Sequence, residues 1–197
     1  MNHIQVAGMV RSISFSHEIN ISIKMYEGTI AVERKSGVVD ILIFQTWQND
    51  IHPLEYYSIE GELRTIGTDS YPKKKTYIKA IGIKHLMQPI EHNEVNLIGT
   101  IEDKTPVRCT PLGRTINDFI LKVKTEYSTA YISTIAWGII AKRLENVPNG
   151  TNIRIEGRLQ KRYFKRADSD KLFGLHEVSI QKLYLEGDDG YLQIKNI

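Results

Sequence analysis

Apolar and polar residues alternate with a period of two along most of this chain, in short runs closed by turn residues. That period is the signature of strands with one buried face, and the runs are rich in Val, Ile, Thr and Tyr. They predict strands at 4–10, 29–34, 38–46, 57–63 and 76–83, and again at 95–101, 118–124, 129–136, 152–159 and 175–185. The pattern changes once. Ile139-Ile140-Ala141-Lys142-Arg143-Leu144 spaces its apolar positions as a helix does, and Pro148-Asn149-Gly150 stops it.

The two sets of strands read as a duplication. Val6-Ala7-Gly8 resembles Leu97-Ile98-Gly99, and the run ending in Trp47 resembles the run ending in Trp137. Ile59-Glu60-Gly61-Glu62-Leu63 resembles Ile155-Glu156-Gly157-Arg158-Leu159, and Ala80–Ile83 is matched with Glu177–Ile180. The offsets are 91, 90, 96 and 97, so about six residues enter between Trp137 and Gly157, where the helix is expected. The corresponding stretch of the first half, 49–53, is too short and broken for one. Five strands per half without alternating helices predict an all-β chain of two small closed barrels. The domains are expected at 1–88 and 93–186, with a tail at 187–197. Gly8, Gly61, Gly99 and Gly157 fall inside strands, where they suit sharp bends better than ligand contact.

Composition narrows the function classes. Of 197 residues 41% are hydrophobic and 25% charged, which is enough apolar matter for real cores. The net charge is only +3, so a polyanion site must come from local clustering. A single cysteine, Cys109, excludes an internal disulfide and a CxxC zinc site and suits a reducing cytosol. No signal-peptide pattern and no apolar run of spanning length is evident, which points to a cytoplasmic protein without membrane contact. Phosphate-loop, nucleophile-elbow and paired-histidine motifs are all missing, so neither an enzyme nor a cofactor or metal is expected.

The local cluster lies between Arg158 and Lys171. Arg158, Lys161, Arg162, Lys165 and Arg166 interleave there with Tyr163 and Phe164. Flat rings among cations are what a sequence-tolerant single-strand groove needs: rings for bases, cations for phosphates. The competing reading is a solvated hairpin with ordinary solubilising charge. Arg108 and Arg114 flank the Thr110–Gly113 turn and add weaker evidence. In the first half the matching groups are Trp47, Tyr71, Lys73, Lys74 and Lys75, with Tyr77 beside them. Ile41 stands where the second half has Tyr131.

The second half resembles the bacterial single-stranded DNA-binding protein family. The resemblance runs through Asn96-Leu-Ile-Gly99, Arg108-Cys-Thr-Pro-Leu-Gly113, Asp118-Phe-Ile-Leu-Lys-Val123, Ile135-Ala-Trp-Gly138, Ile155-Glu-Gly-Arg-Leu-Gln160 and Glu177-Val178. The first half is similar more faintly. The resemblance implies five-stranded OB-type barrels, two in tandem. It implies stacking positions at Tyr131 and Trp137 on the third strand and at Phe164, with Tyr163, on the hairpin. Each has another reading: cross-strand packing for Tyr131, a core or interface role for Trp137. The implied partner is single-stranded DNA, bound with little sequence preference in replication, recombination or repair at the nucleoid. The family assembles four barrels, so a homodimer of this chain would match it. The family's acidic, aromatic-tipped end has no counterpart in Tyr191–Ile197, which puts recruitment of replication proteins by that route in doubt. Two other readings stand beside this one: an accessory primosome protein with an OB fold, and an adaptor whose barrels bind protein.

Overall fold

A computed structural model describes residues 1–20, 22–66, 75–125, 128–166, 169–187 and 190–193. The first half gives five strands: β1 (Asn2–Asn20), β2 (Ile23–Glu33), β3 (Val39–Thr46), β4 (Tyr56–Ile66) and β5 (Lys75–His85). β1 pairs with β4 through its early residues and with β2 through its later ones. β2 pairs with β3, and β4 with β5, both antiparallel. A short parallel contact at Phe44↔Ile78 joins β3 to β5. These pairings close the five strands into a ring. Its interior is filled by Ile4, Val6, Val10, Ile30, Leu42, Phe44, Ile59, Leu63 and Ile78, all fully buried.

The second half repeats the scheme. Its ring is built from β6 (His92–Glu102), β8 (Thr115–Lys124), β9 (Thr129–Trp137), β10 (Asn152–Arg166) and β11 (Ser169–Gly187). β6 pairs with β10 and β8, β8 with β9, and β10 lies beside β11. The parallel closure is at Thr134↔Val178. Val95, Leu97, Leu121, Val123, Ile132, Ile155 and Val178 fill this core. Two short strands are additions that the alternation did not predict: β7 (Arg108–Cys109) beside β8, and β12 (Gly190–Gln193), which pairs with β11. Of the expected tail, 187–197, the described residues Gly190–Gln193 pair with β11.

The expected helix forms as α1 (Gly138–Glu145) between β9 and β10. It buries Ile140, Ala141 and Leu144, the apolar positions of the helical pattern. Its C-terminal carbonyls are gathered by the Lys104 ammonium, which donates to Leu144 O at 2.5 Å, to Glu145 O at 3.0 Å and to Val147 O. A cation at this end also opposes the helix dipole. Burial pulls the Lys104 pKa down, against the pull of Glu145.

The four repeat glycines sit where backbones cross. A Cβ on Gly8 would lie 2.1 Å from Ala31 O, and one on Gly61 2.2 Å from Lys79 O. In the second ring the distances are 2.5 Å from Lys122 O for Gly99 and 2.3 Å from Ser179 O for Gly157. The same comparison corrects one pairing of the repeat. Gly61 faces Lys79 where Gly157 faces Ser179, and Phe44↔Ile78 corresponds to Thr134↔Val178. Ala80 therefore corresponds to Ile180, not to Glu177. The hairpin of the second ring is longer than the match of short apolar runs allowed.

By their contacts the residues form two compact units. One holds His3–Glu94 with Gln160–His176; the other holds Met1–Asn2, Val95–Leu159 and Glu177–Ile197. The outer part of the β10–β11 hairpin thus belongs with the strands of the first ring.

Candidate nucleic-acid interface

β9 carries the first two candidates. Its outward row is Tyr131, Ser133, Ile135 and Trp137, opposite Lys122, Ile120, Asp118 and Ile116 of β8. Tyr131 and Trp137 do share a face, as their even spacing requires. They do not share one open groove. Ser133 and Ile135 between them are buried, and six residues of strand separate the two rings by about 20 Å. Each ring is a separate station.

At Tyr131 the Lys122 ammonium lies 5.7 Å from the ring centroid. Lys122 also pairs with Glu102 at 2.8 Å, and that hydrogen bond raises its pKa, so the cation persists over the ring. At Trp137 the indole is half-buried and its Nε1 donates to Ser179 Oγ at 3.1 Å, which fixes the plane of the ring. Beside it opens a shallow depression of about 540 Å³, lined by Gly113, Arg114, Thr115, Trp137, Gly138, Ile139 and Lys142. Gly138 turns the chain from strand to helix with a φ of +57°, a region that a side chain disfavours by about 1–2 kcal/mol. An aromatic plane, two cations and open space meet there. The Arg108 guanidinium is held by Asp118 at 2.5 Å.

The hairpin carries two further aromatic–cation pairs. Lys161 Nζ lies 5.0 Å from the Tyr163 ring and Arg162 Cζ 5.8 Å from the Phe164 ring. Tyr163 is 55% exposed, while Phe164 leans on Phe173 with centroids 6.0 Å apart. Gly174 makes room for the first pair, since a Cβ there would lie 2.9 Å from Lys161 Cε and 3.3 Å from the Tyr163 ring. Arg158 is half-buried further down β10. Lys165 and Arg166 continue that strand, and their side chains lie outside the described residues, as do Tyr71, Lys73 and Lys74 altogether.

In the first ring Trp47 follows β3 and is 51% exposed. Lys75 pairs with Glu27 at 2.7 Å, and Glu27 also accepts from Gln45 of β3. Lys79, exposed on β5, stands opposite Gln45 in the parallel pairing. Tyr77 is half-buried, and burial raises its pKa.

In architecture the chain is similar to solved structures of the single-stranded DNA binding protein of Thermus aquaticus. The wild-type structure matches with a TM-score of 0.73 over 95% of this chain and 93% of that one, at 18% identity. A deletion mutant of the same protein matches with a TM-score of 0.71 over 96% of both chains, also at 18% identity. The fold is that of this single-stranded DNA binding protein. No protein-family model matches the sequence, and no curated protein sequence matches it either.

Several residues of these stations escaped the sequence reading. Lys122 could have been found by pairing strands 118–124 and 129–136 as a hairpin, which sets it against Tyr131. Lys142 lay in the expected helix but had no visible link to Trp137 until Gly138 turned the chain. Phe173 and Gly174 fell before the strand drawn at 175–185.

Proposed function

We propose that this chain binds single-stranded DNA with little sequence preference, through two OB-type barrels in tandem, the rings of 1–88 and 93–186. The observation that carries the reading is the recurrence of rings with cations beside them. Tyr131 has Lys122, Tyr163 has Lys161, Phe164 has Arg162, and Trp137 has Arg114 and Lys142 around a depression. Every base offers a flat face, so such stations accept any sequence, at about 1–3 kcal/mol per stacked base. Cations beside them meet the phosphates and release counterions, which makes affinity fall with salt. The fold likeness to a single-stranded DNA binding protein supports the same reading.

Within this reading a base lies on the Trp137 indole with Arg114 and Lys142 at its phosphates. Tyr131 takes a further base, Tyr163 and Phe164 take bases on the unit that holds the hairpin, and Trp47 serves the first barrel. Arg108 and Arg158 add charge near the path. Lys165, Arg166, Tyr71, Lys73, Lys74 and Lys75 complete the proposed set of cations and rings. Titration of the protein with short oligothymidylates, followed by anisotropy at two salt concentrations, tests the reading. Saturable binding that weakens with salt supports it; no binding at low salt refutes it.

The finer setting follows from the same chemistry. A homodimer would bring four barrels together under two-fold symmetry, the count the resembling family assembles. Such a protein serves replication, recombination or repair in the cytoplasm at the nucleoid and meets replication proteins there.

A further inference from the structure

Two consecutive residues of β3 hold both legs of the aromatic hairpin. Asp40 is 1% exposed. Its carboxylate accepts from Arg34 twice, Nε to Oδ2 and Nη2 to Oδ1, each at 2.6 Å. Oδ1 accepts a third bond, from the backbone N–H of Lys161 on β10 at 2.9 Å. On the next residue, Ile41 O accepts from His176 Nε2 of β11 at 2.8 Å. Lys161 and His176 stand at the two ends of Gln160–His176, the segment that groups with the first ring. Both bonds therefore lie at the root of the hairpin, with Tyr163 and Phe164 beyond them.

A two-stranded hairpin is marginally stable in water by itself, so its direction must come from its root. A buried carboxylate is held only when paired and hydrogen-bonded, and Asp40 meets that condition by joining Arg34 to the hairpin backbone. A bond to the Lys161 N–H acts on backbone, so it fixes the strand whatever the side chains do. Lys161 and Tyr163 then keep one face of the hairpin and Arg162 and Phe164 the other.

We propose that Asp40, with His176, is a positioning residue for strand binding: it sets the hairpin of Tyr163 and Phe164 where bases reach it, without touching DNA. This rests on the function proposed above. Loss of the clamp leaves the aromatic residues present but unaimed, so the variant retains the Trp137 station and loses the hairpin stations.

The experiment compares the full-length protein with Asp40→Ala, which removes the acceptor of the Lys161 N–H. Amide hydrogen exchange is read by NMR for Lys161–Phe164 and for β6–β9, and affinity for an oligothymidylate by anisotropy. The expected result is faster exchange of the hairpin amides, Lys161 first, with β6–β9 unchanged, and a loss of affinity of about fivefold or more, one base stack at the low end. Where Asp40→Ala does not fold, His176→Phe removes the bond to Ile41 O with a planar ring kept. His176→Gln, which can still donate, is expected to restore both readouts. Unchanged hairpin exchange overturns the proposal, and so does faster exchange with unchanged affinity. A wild-type protein that binds no strand would refute the function instead, and the exchange arm would then decide the clamp alone.

Discussion

His176 sits at the hairpin root as an imidazole that prefers to stay neutral. Burial pulls its pKa below the usual 6.5, and the Lys161 and Lys75 charges pull the same way, against the Ile41 carbonyl and Asp40. A lowered folded-state pKa contributes stability above the ordinary value that is lost as pH falls through the folded one. Acidification from neutral pH is therefore expected to lower the protection of the hairpin-root amides, with exchange read against the intrinsic rate at each pH, and His176→Gln should abolish that dependence. Wild-type protection that stays flat as the pH falls would contradict it. At the same scale, Tyr131→Ala and Phe164→Ala should each weaken single-strand binding by about 1–3 kcal/mol with folding intact. Because about 20 Å of strand and two buried residues separate Tyr131 from Trp137, Tyr131→Ala should leave quenching at Trp137 in place. Unchanged affinity in the folded double variant would show that the strand runs elsewhere.

Among the elements, α1 depends on one side chain from outside it. No side chain caps its N-terminus, and Lys104 closes the other end with three bonds to carbonyls. Lys104→Met keeps the aliphatic stem and removes those bonds, and should lower stability by about 1–2 kcal/mol in a denaturant melt. An unchanged midpoint would contradict the cap. The strands depend instead on glycine. Gly61→Ala places a methyl 2.2 Å from Lys79 O, backbone that cannot swing aside, and a loss of about 3 kcal/mol or more is expected. The helix and the ten main strands were legible because their periods are local. That the repeat glycines are structural was legible because glycine inside a strand demands a reason; that the reason is close backbone approach was not. What stayed hidden depended on contacts distant in sequence: the three-residue shift that pairs Ala80 with Ile180, the extension of β10 and β11 into a long hairpin, and the clamp between residues 40 and 161. Polar residues in that hairpin broke the alternation, so its strand character left no trace in the pattern. Asp40 drew no role from the sequence because its bond partner beyond Arg34, the Lys161 N–H, comes from more than a hundred residues away.

For the whole molecule, the two rings share one pairing scheme and differ in surface. Trp47 and Trp137 are equivalent in the repeat, yet only Trp137 has Tyr131 on its own strand, where the first ring has Ile41. Trp137 also has a tethered indole and a cationic depression. The hairpin that groups with the first ring brings Tyr163 and Phe164 to a unit whose third strand has Ile41 at the position of Tyr131 and buries its one ring, Phe44. The proposed homodimer should give twice the chain mass of 22.6 kDa in light scattering of a dilute solution. A strictly monomeric mass would remove that expectation without touching strand binding. The most direct test of binding itself is tryptophan fluorescence during titration with oligothymidylate, at about 50 and 200 mM salt. Saturable quenching, weaker at the higher salt, is expected in the wild type. It should be mostly lost in Trp137→Phe and largely kept in Trp47→Phe. Quenching that vanishes in Trp47→Phe and survives in Trp137→Phe would reverse the ranking of the rings. No saturable quenching and no change in anisotropy at the lower salt would contradict single-strand binding altogether.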